Sequence, residues 1–174
     1  LKVTAAHAKK IGASFVFISS IFFKGKGEED YRAEARLFNR FGEIVNSFDM
    51  QFCFHNHNWE FKRGRLGLDI LTKETDPGRV FLVPDLGWVM RGGMEPVDFL
   101  REFGDRVQAL HFKDFTFDDR FTELGKGVVD FETAYDYIRD RELWIVAEQD
   151  TCEGRPADAA RENAAYLRKL TGKA

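Results

Sequence analysis

Residues 79–85 read RVFLVPD, an apolar run that follows the turn signal DPG at 76–78 and closes on an aspartate. A run this short and this rich in Val, Phe and Leu predicts a buried β-strand. Four further runs share these features: SFVFIS (14–19), QFCFH (51–55), RVQALHF (106–112) and LWIVAEQ (143–149). Their near-continuous apolar character is expected of strands that are covered on both faces.

Segments with helical spacing alternate with these strands. The spacing predicts helices over 2–12, 29–48, 66–75, 95–104, 131–140 and 157–171. Asp130 is a candidate N-cap for the fifth helix. A polar loop rich in Gly and Lys is predicted between residues 19 and 29, and a long loop over 113–130. This order of strands and helices predicts a parallel sheet with crossover helices.

The composition limits the classes of protein that this chain can represent. At 174 residues it is expected to form a single domain, 1–174, or part of one. A net charge of −3 offers no broad cationic surface, so neither nucleic acid nor a membrane is expected as a partner. Cys53 and Cys152 form no spaced framework and read as reduced thiols, which predicts a reducing, cytoplasmic location.

The ionisable residues lie at informative positions along the predicted strands. His55 ends the second strand, Asp85 ends the third, and His111 and Glu148 lie near the ends of the fourth and fifth. The carboxyl ends of parallel strands meet at one edge of a sheet, so these four side chains are predicted to converge. Each alone could be an ordinary turn or cap residue. Together, as mixed N and O donors without a thiolate, they suit Mn, Mg, Co or Zn.

Side-chain alternation adds neighbours to this set. Residues two apart share one face of a strand, which groups His57 with His55, Lys113 with His111, and Asp150 with Glu148.

Four further residues near the strand ends have two interpretations each. Glu60 could form an ion pair or contact a substrate. Trp59 and Trp88 follow the polar strand ends closely and could line a pocket or only cover the core. Glu123, in the loop ELGKG, could lie over a ligand or simply belong to a turn.

Five motifs in order carry a resemblance: HNHNWEF (55–61), PDLGWVMRGG (84–93), LHFKDF (110–115), ELGKGVVDF (123–131) and WIVAEQD (144–150). Together they resemble the sugar phosphate isomerase/epimerase family of the xylose isomerase-like TIM-barrel superfamily. The resemblance implies an α/β fold of the (β/α)8 type with parallel strands. Five βα units are visible here, so the chain is expected to be one partial barrel domain that lacks the first three. Self-association is one way to cover the open edge.

The resemblance also implies one bound divalent ion, most often Mn, held by Glu, Asp, His and Glu from successive strands. Asp85, His111 and Glu148 match the last three ligands. His55 stands where many relatives have Glu, and His57 and Glu60 are the alternatives for this first ligand.

The chemistry implied by the resemblance is isomerisation or epimerisation of a keto sugar or polyol through an enediolate. Glu148 is the candidate base, Lys113 and His57 would polarise oxygens or shuttle protons, and Glu60 completes the catalytic candidates. Trp59, Trp88 and Glu123 are the candidate substrate contacts. Inosose dehydratase or keto-glycoside lyase chemistry is the first alternative, and a truncated, non-catalytic sugar-binding module is the second.

Phosphodiester hydrolysis, the activity of endonucleases in the same superfamily, is not expected. Only three histidines lie near the predicted site, and the basic surface that DNA requires is missing from the sequence.

Overall fold

A computed structural model describes residues 1–19 and 27–172 of the chain. The chain divides into two compact units, Leu1–Val83 and Pro84–Ala174. The loop predicted between residues 19 and 29 falls mainly on residues 20–26, which lie outside the described residues. Among the helices of the described part, none combines the length and the apolar character that a membrane crossing requires.

In its described residues, the first unit contains three strands that alternate with three α-helices, together with a short 3-10 helix at Trp59–Phe61. Its elements are α1 (Lys2–Lys10), β1 (Phe15–Ile18), α2 (Glu28–Asn46), β2 (Gln51–Phe54), α3 (Lys62–Glu74) and β3 (Val80–Leu82). The strands form one parallel sheet in the order β1-β2-β3. Phe52 of β2 lies opposite Val16 on one side and Val80 on the other. The first three predicted strands and their parallel pairing are therefore confirmed.

Phenylalanine side chains fill the core between α2 and this sheet. The ring of Phe38 lies 5.6 Å from that of Phe52 and 5.3 Å from that of Phe54, and all three residues are buried. Each buried phenylalanine contributes roughly 1.5–3 kcal/mol to folding. Gly42 lets α2 approach the sheet closely, because a Cβ there would lie 2.4 Å from the carbonyl oxygen of Arg79.

The second unit contains four helices and four strands. Its elements are α4 (Leu86–Arg91), α5 (Pro96–Phe103), β4 (Ala109–Phe112), β5 (Asp114–Phe115), β6 (Phe121–Thr122), α6 (Phe131–Ile138), β7 (Trp144–Ala147) and α7 (Pro156–Thr171). Strands β4 and β7 pair in parallel, which confirms the last two predicted strands. Strands β5 and β6 form a short antiparallel hairpin inside the segment 113–130, which was predicted to be a loop. Two-residue strands are too short to show a period in the sequence.

The third predicted strand ends earlier than expected. It was predicted to run to Asp85, but β3 ends at Leu82. Pro84 has no backbone N–H and cannot continue the hydrogen-bonded ladder. Asp85 instead forms an isolated parallel bridge with His111 and is the N-cap of α4, a helix that was not predicted.

Asp130 caps α6, as predicted. Its carboxylate accepts a hydrogen bond from the N–H of Thr133 at 3.0 Å, and hydrogen bonds from Thr133 lower the pKa of Asp130. Asp130→Ala is expected to lower the free energy of unfolding by about 1 kcal/mol, because an N–H at the helix start loses its acceptor. Urea denaturation measures this loss. Asp140→Ala, an exposed aspartate just beyond the same helix, is the control; equal losses in both variants would contradict the assignment.

Candidate functional site

Asp85, His111 and Glu148 occupy adjacent positions in the second unit because β4 pairs with its neighbours on both sides. The His111 N–H donates to the carbonyl oxygen of Pro84 at 2.9 Å. On the other side, the Glu148 N–H donates to the carbonyl oxygen of Phe112 at 2.9 Å, one step beyond the end of β7. The register of the backbone therefore brings the three side chains to one end of these strands.

These three side chains converge as the sequence analysis predicted. One ligand atom from each lies within 4.8 Å of the ligand atoms of the others. Asp85 and His111 are buried, whereas the Glu148 side chain is 30% exposed. Glu148 Oε2 also contacts His111 Nδ1. Two carboxylates and one imidazole form a donor set that fits Mn, Mg, Co or Zn.

Lys113 lies among the carboxylates of this site. Its Nζ atom is 3.2 Å from Asp85 Oδ2, 2.9 Å from Glu148 Oε1 and 3.1 Å from Asp150 Oδ1. The Lys113 side chain is only 1% exposed. Three carboxylates satisfy the three N–H donors of this buried ammonium group, which explains how a lysine is tolerated at this position.

Burial and Lys113 act on the carboxylates of Asp85 and Glu148 with different results. Burial raises the pKa of Asp85 to about 6, although the Lys113 charge opposes this shift. Burial acts in the same direction on Glu148, but hydrogen bonds from His111 and Lys113 outweigh it and hold its pKa well below the usual range. The pKa of Lys113 is raised because Asp85, Glu148 and Asp150 outweigh the opposing effect of burial. At neutral pH the site therefore contains ionised carboxylates around an ammonium group.

An aromatic surface lies beside Lys113. The Trp88 ring is 5.0 Å from Lys113 Nζ, 5.0 Å from the Phe115 ring and 6.1 Å from the Phe121 ring. Trp88 is partly exposed. Ligand pockets commonly combine an aromatic wall with a few charged groups, and the partly exposed Trp88 ring beside Lys113 has this arrangement.

Asp85 and Gly87 fix the position of Trp88. Asp85 Oδ1 accepts a hydrogen bond from the Trp88 N–H at 3.0 Å and so caps α4. A Cβ on Gly87 would lie 2.3 Å from the carbonyl oxygen of Lys113. Glycine at this position therefore lets the start of α4 pack directly against the backbone of Lys113.

The loop that contains Glu123 is held by a buried carboxylate. Asp114 accepts hydrogen bonds from four backbone N–H groups, those of Phe115, Gly125, Gly127 and Val129, at 2.9 to 3.2 Å. Glu123 forms an ion pair with Lys126 at 3.4 Å within this loop. Glu123 therefore lies on a fixed turn, and its contact with a substrate stays a prediction.

The predicted site residues of the first unit form their own group after β2. His55 is buried, and its Nδ1 lies 3.1 Å from the carbonyl oxygen of Val83. The ring centroids of His55 and His57 are 5.2 Å apart, and His57 stacks on Trp59 at 4.1 Å. Glu60 is fully buried, and its Oε2 accepts a hydrogen bond from the His57 N–H at 2.8 Å. This contact gives Glu60 a defined role in holding the loop.

Two acidic residues of the second unit received no role from the sequence. The alternation of side chains groups Asp150 with Glu148 but assigns it no contact, and no sequence pattern indicates a role for Asp114. The absence of a side chain at Gly127 leaves room for the Asp114 carboxylate, because a Cβ there would lie 2.2 Å from Asp114 Oδ1. The partner of Asp150 depends on the pairing of β4 with β7, which the sequence does not display.

Comparison with known proteins identifies the family. The description "xylose isomerase-like TIM barrel" applies to a family that matches residues 1–170. The chain belongs to the xylose isomerase-like TIM barrel family. This confirms the resemblance drawn from the five motifs and the fold class that it implied.

Three known proteins illustrate what this chain is similar to. The inosose dehydratase of Clostridium beijerinckii is 26% identical over 167 residues, which cover 83% of this chain and 56% of that relative. A sugar phosphate isomerase/epimerase structure from Parabacteroides distasonis has a TM-score of 0.85 and 24% identity, covering 97% of this chain and 63% of that one. A structure of the IOLI protein with a binding zinc atom has a TM-score of 0.75 and 14% identity. The match covers 99% of this chain and 68% of that one. The chain therefore spans about half the length of the curated relatives it matches.

Proposed function

We propose that this chain carries the metal site of an isomerase or epimerase that acts on a keto sugar or polyol. The observation that supports this proposal is the convergence of Asp85, His111 and Glu148 within 4.8 Å, in a chain of the xylose isomerase-like family. Relatives of this chain include a sugar phosphate isomerase/epimerase by fold and inosose dehydratases by sequence.

Asp85, His111 and Glu148 are the proposed ligands of a divalent ion, with His55 as the fourth. The hydrogen-bonding distance from His55 Nδ1 to the Val83 carbonyl oxygen supports this choice, because ligand histidines usually donate one ring N–H to such a group. Glu60 is a weaker alternative, since its carboxylate holds the His57 N–H. Mn is the first candidate, with Mg, Co and Zn also suited to these donors. The ion would supply Lewis-acid stabilisation of negative charge on substrate oxygens.

The side chains of the site divide the remaining work between them. Glu148 is the proposed base that removes a carbon-bound proton next to a carbonyl, because a carboxylate that binds the ion could also reach a substrate held there. Lys113, whose pKa is raised, is a proposed hydrogen-bond donor to a substrate oxygen. His57 is the proposed second proton carrier. Trp88, Trp59 and Glu123 are the proposed contacts to the body of the sugar.

An inosose dehydratase is the second candidate, and the similarity to the Clostridium beijerinckii enzyme favours it. Both activities begin with removal of a carbon-bound proton beside a ketone. The reactions separate afterwards: return of the proton to carbon gives an isomer or epimer, whereas loss of a hydroxyl group from the next carbon gives a dehydrated product. A small sugar or polyol is the proposed substrate in either case, and self-association remains a prediction.

The test is turnover by the metal-loaded chain on separate panels of ketoses and inososes. We expect Mn-dependent formation of an isomer or epimer, identified by NMR in D₂O through exchange of one carbon-bound proton. A dehydrated product would favour the second candidate. Tight ion binding without exchange or turnover on either panel would favour a sugar-binding module, and failure to bind any divalent ion would overturn the proposed metal site.

A further inference from the structure

Asp150 differs from the other carboxylates around Lys113. It lies 3.1 Å from Lys113 Nζ through Oδ1 and 3.3 Å through Oδ2, so both oxygens face the ammonium group. Its side chain is 42% exposed, and it is not among the proposed ion ligands. Asp85 and Glu148, in contrast, would have to serve Lys113 and the ion together.

We propose that Asp150 is a positioning residue that holds the Lys113 ammonium group away from the ion and thereby sets the affinity of the metal site. This inference rests on the proposed function. Beyond that function, it gives Asp150 a role in ion binding. It also states that Lys113 and the ion compete for the same carboxylates, those of Asp85 and Glu148.

The competition follows from the geometry around Lys113. Its ammonium group contacts one oxygen of Asp85 and one of Glu148 at 3.2 and 2.9 Å. An ion bound by these two carboxylates would draw on the same negative charge and would repel the ammonium group at short range. Lys113 is buried and cannot reach water in its present position, so it needs another anion when the ion binds.

Asp150 supplies that anion. Because Asp150 follows Glu148 by two residues, its side chain can share one side of the extended chain with Glu148. Loss of its charge would leave Lys113 with only the ligand carboxylates, and the ammonium group would then compete with the ion more strongly. Partners of this kind, which orient ligands without touching the metal, typically change metal affinity about 10- to 100-fold.

The experiment measures Mn²⁺ affinity by isothermal titration calorimetry in the wild type and in five variants of the full chain. Asp150→Asn is expected to weaken binding about tenfold, and Asp150→Glu is expected to restore most of the affinity. Glu153→Gln is the control, because Glu153 is an 89% exposed carboxylate three residues further along that pairs with Arg120. It is expected to bind Mn²⁺ as the wild type does.

Two further variants, Lys113→Gln alone and Lys113→Gln combined with Asp150→Asn, test whether Asp150 acts through Lys113. In a Lys113→Gln background, Asp150→Asn is expected to change the affinity less than twofold, because the competing ammonium group is gone. A full tenfold loss in that background would overturn the inference, since Asp150 would then act on the ion directly. Wild-type affinity in Asp150→Asn would overturn it as well, while leaving the metal site intact. Absence of Mn²⁺ binding by the wild type would overturn the proposed function and this inference with it.

Discussion

Glu148→Gln is expected to lower the affinity for Mn²⁺ or Zn²⁺ by about 100-fold or more, because it removes a proposed ligand rather than a supporting group. The substitution keeps the shape of the side chain but replaces one oxygen by an NH₂ group and removes the charge. Glu148 contacts both His111 and Lys113 through its two oxygens. An amide NH₂ that faces Lys113 would place a donor against a donor, and an NH₂ that faces His111 Nδ1 would fit only the ring tautomer with its proton on Nε2.

The chain is expected to stay folded in this variant. The Glu148 side chain is 30% exposed, and Lys113 retains Asp85 and Asp150 as partners. Calorimetry gives the affinity, and a thermal melt in EDTA gives the stability without the ion. Glu142→Gln is the matched control, an exposed glutamate just before the amino end of the same strand β7. The ligand assignment would be wrong if Glu148→Gln bound the ion as tightly as the control.

Gly87→Ala is expected to lower the free energy of unfolding by about 3 kcal/mol, at the upper end of the usual cost of overpacking. The new Cβ would lie 2.3 Å from the Lys113 carbonyl oxygen and 2.8 Å from Cε2 of Phe115. The nearest obstacle is backbone, which cannot move aside as a flexible side chain can. The start of α4 must therefore shift, together with its cap Asp85 and with Trp88.

The same shift is expected to weaken ion binding about tenfold, since Asp85 is a proposed ligand and displaced ligands lose affinity. Gly104→Ala is the matched control, because its backbone has an ordinary φ of −54° and its Cβ would meet Arg141 Nη1 at 3.4 Å. That control is expected to change stability by less than about 1 kcal/mol. Urea denaturation and calorimetry on both variants test the pair of effects; wild-type stability of Gly87→Ala would show that α4 adapts without cost.

The strands of this protein could be predicted because their signals are local. Runs such as QFCFH and RVFLVPD contain both the apolar content of a buried strand and the polar residue that follows it. The β5–β6 hairpin and the six-residue α4 could not be predicted in the same way, because elements of two to six residues are too short for a repeating pattern to stand out. The end of β3 at Leu82 does have a local signal, because Pro84 has no N–H to donate to the hydrogen-bonded ladder.

Some residues of the candidate site could be predicted from the sequence, and others could not. Asp85, His111 and Glu148 could be grouped because parallel strands place their carboxyl ends together. The contact of Asp150 with Lys113 could not be predicted, because the two residues are 37 positions apart along the chain. Glu60 illustrates the same limit, since its burial and its hydrogen bond from the His57 N–H are a third arrangement that the sequence did not suggest.

Local sequence patterns were enough to predict the alternation of strands and helices, the family, and the residue types available for an ion. Those features depend on neighbours in the chain, through apolar periodicity and the order of motifs. The contacts of Lys113 with the carboxylates of Asp85 and Glu148, and the lack of room for a side chain at Gly87, are visible only in the folded protein. Both depend on the register of β4 against β7 and on the approach of α4 to within contact of the Lys113 backbone, and such distances arise only when segments remote in sequence pack together.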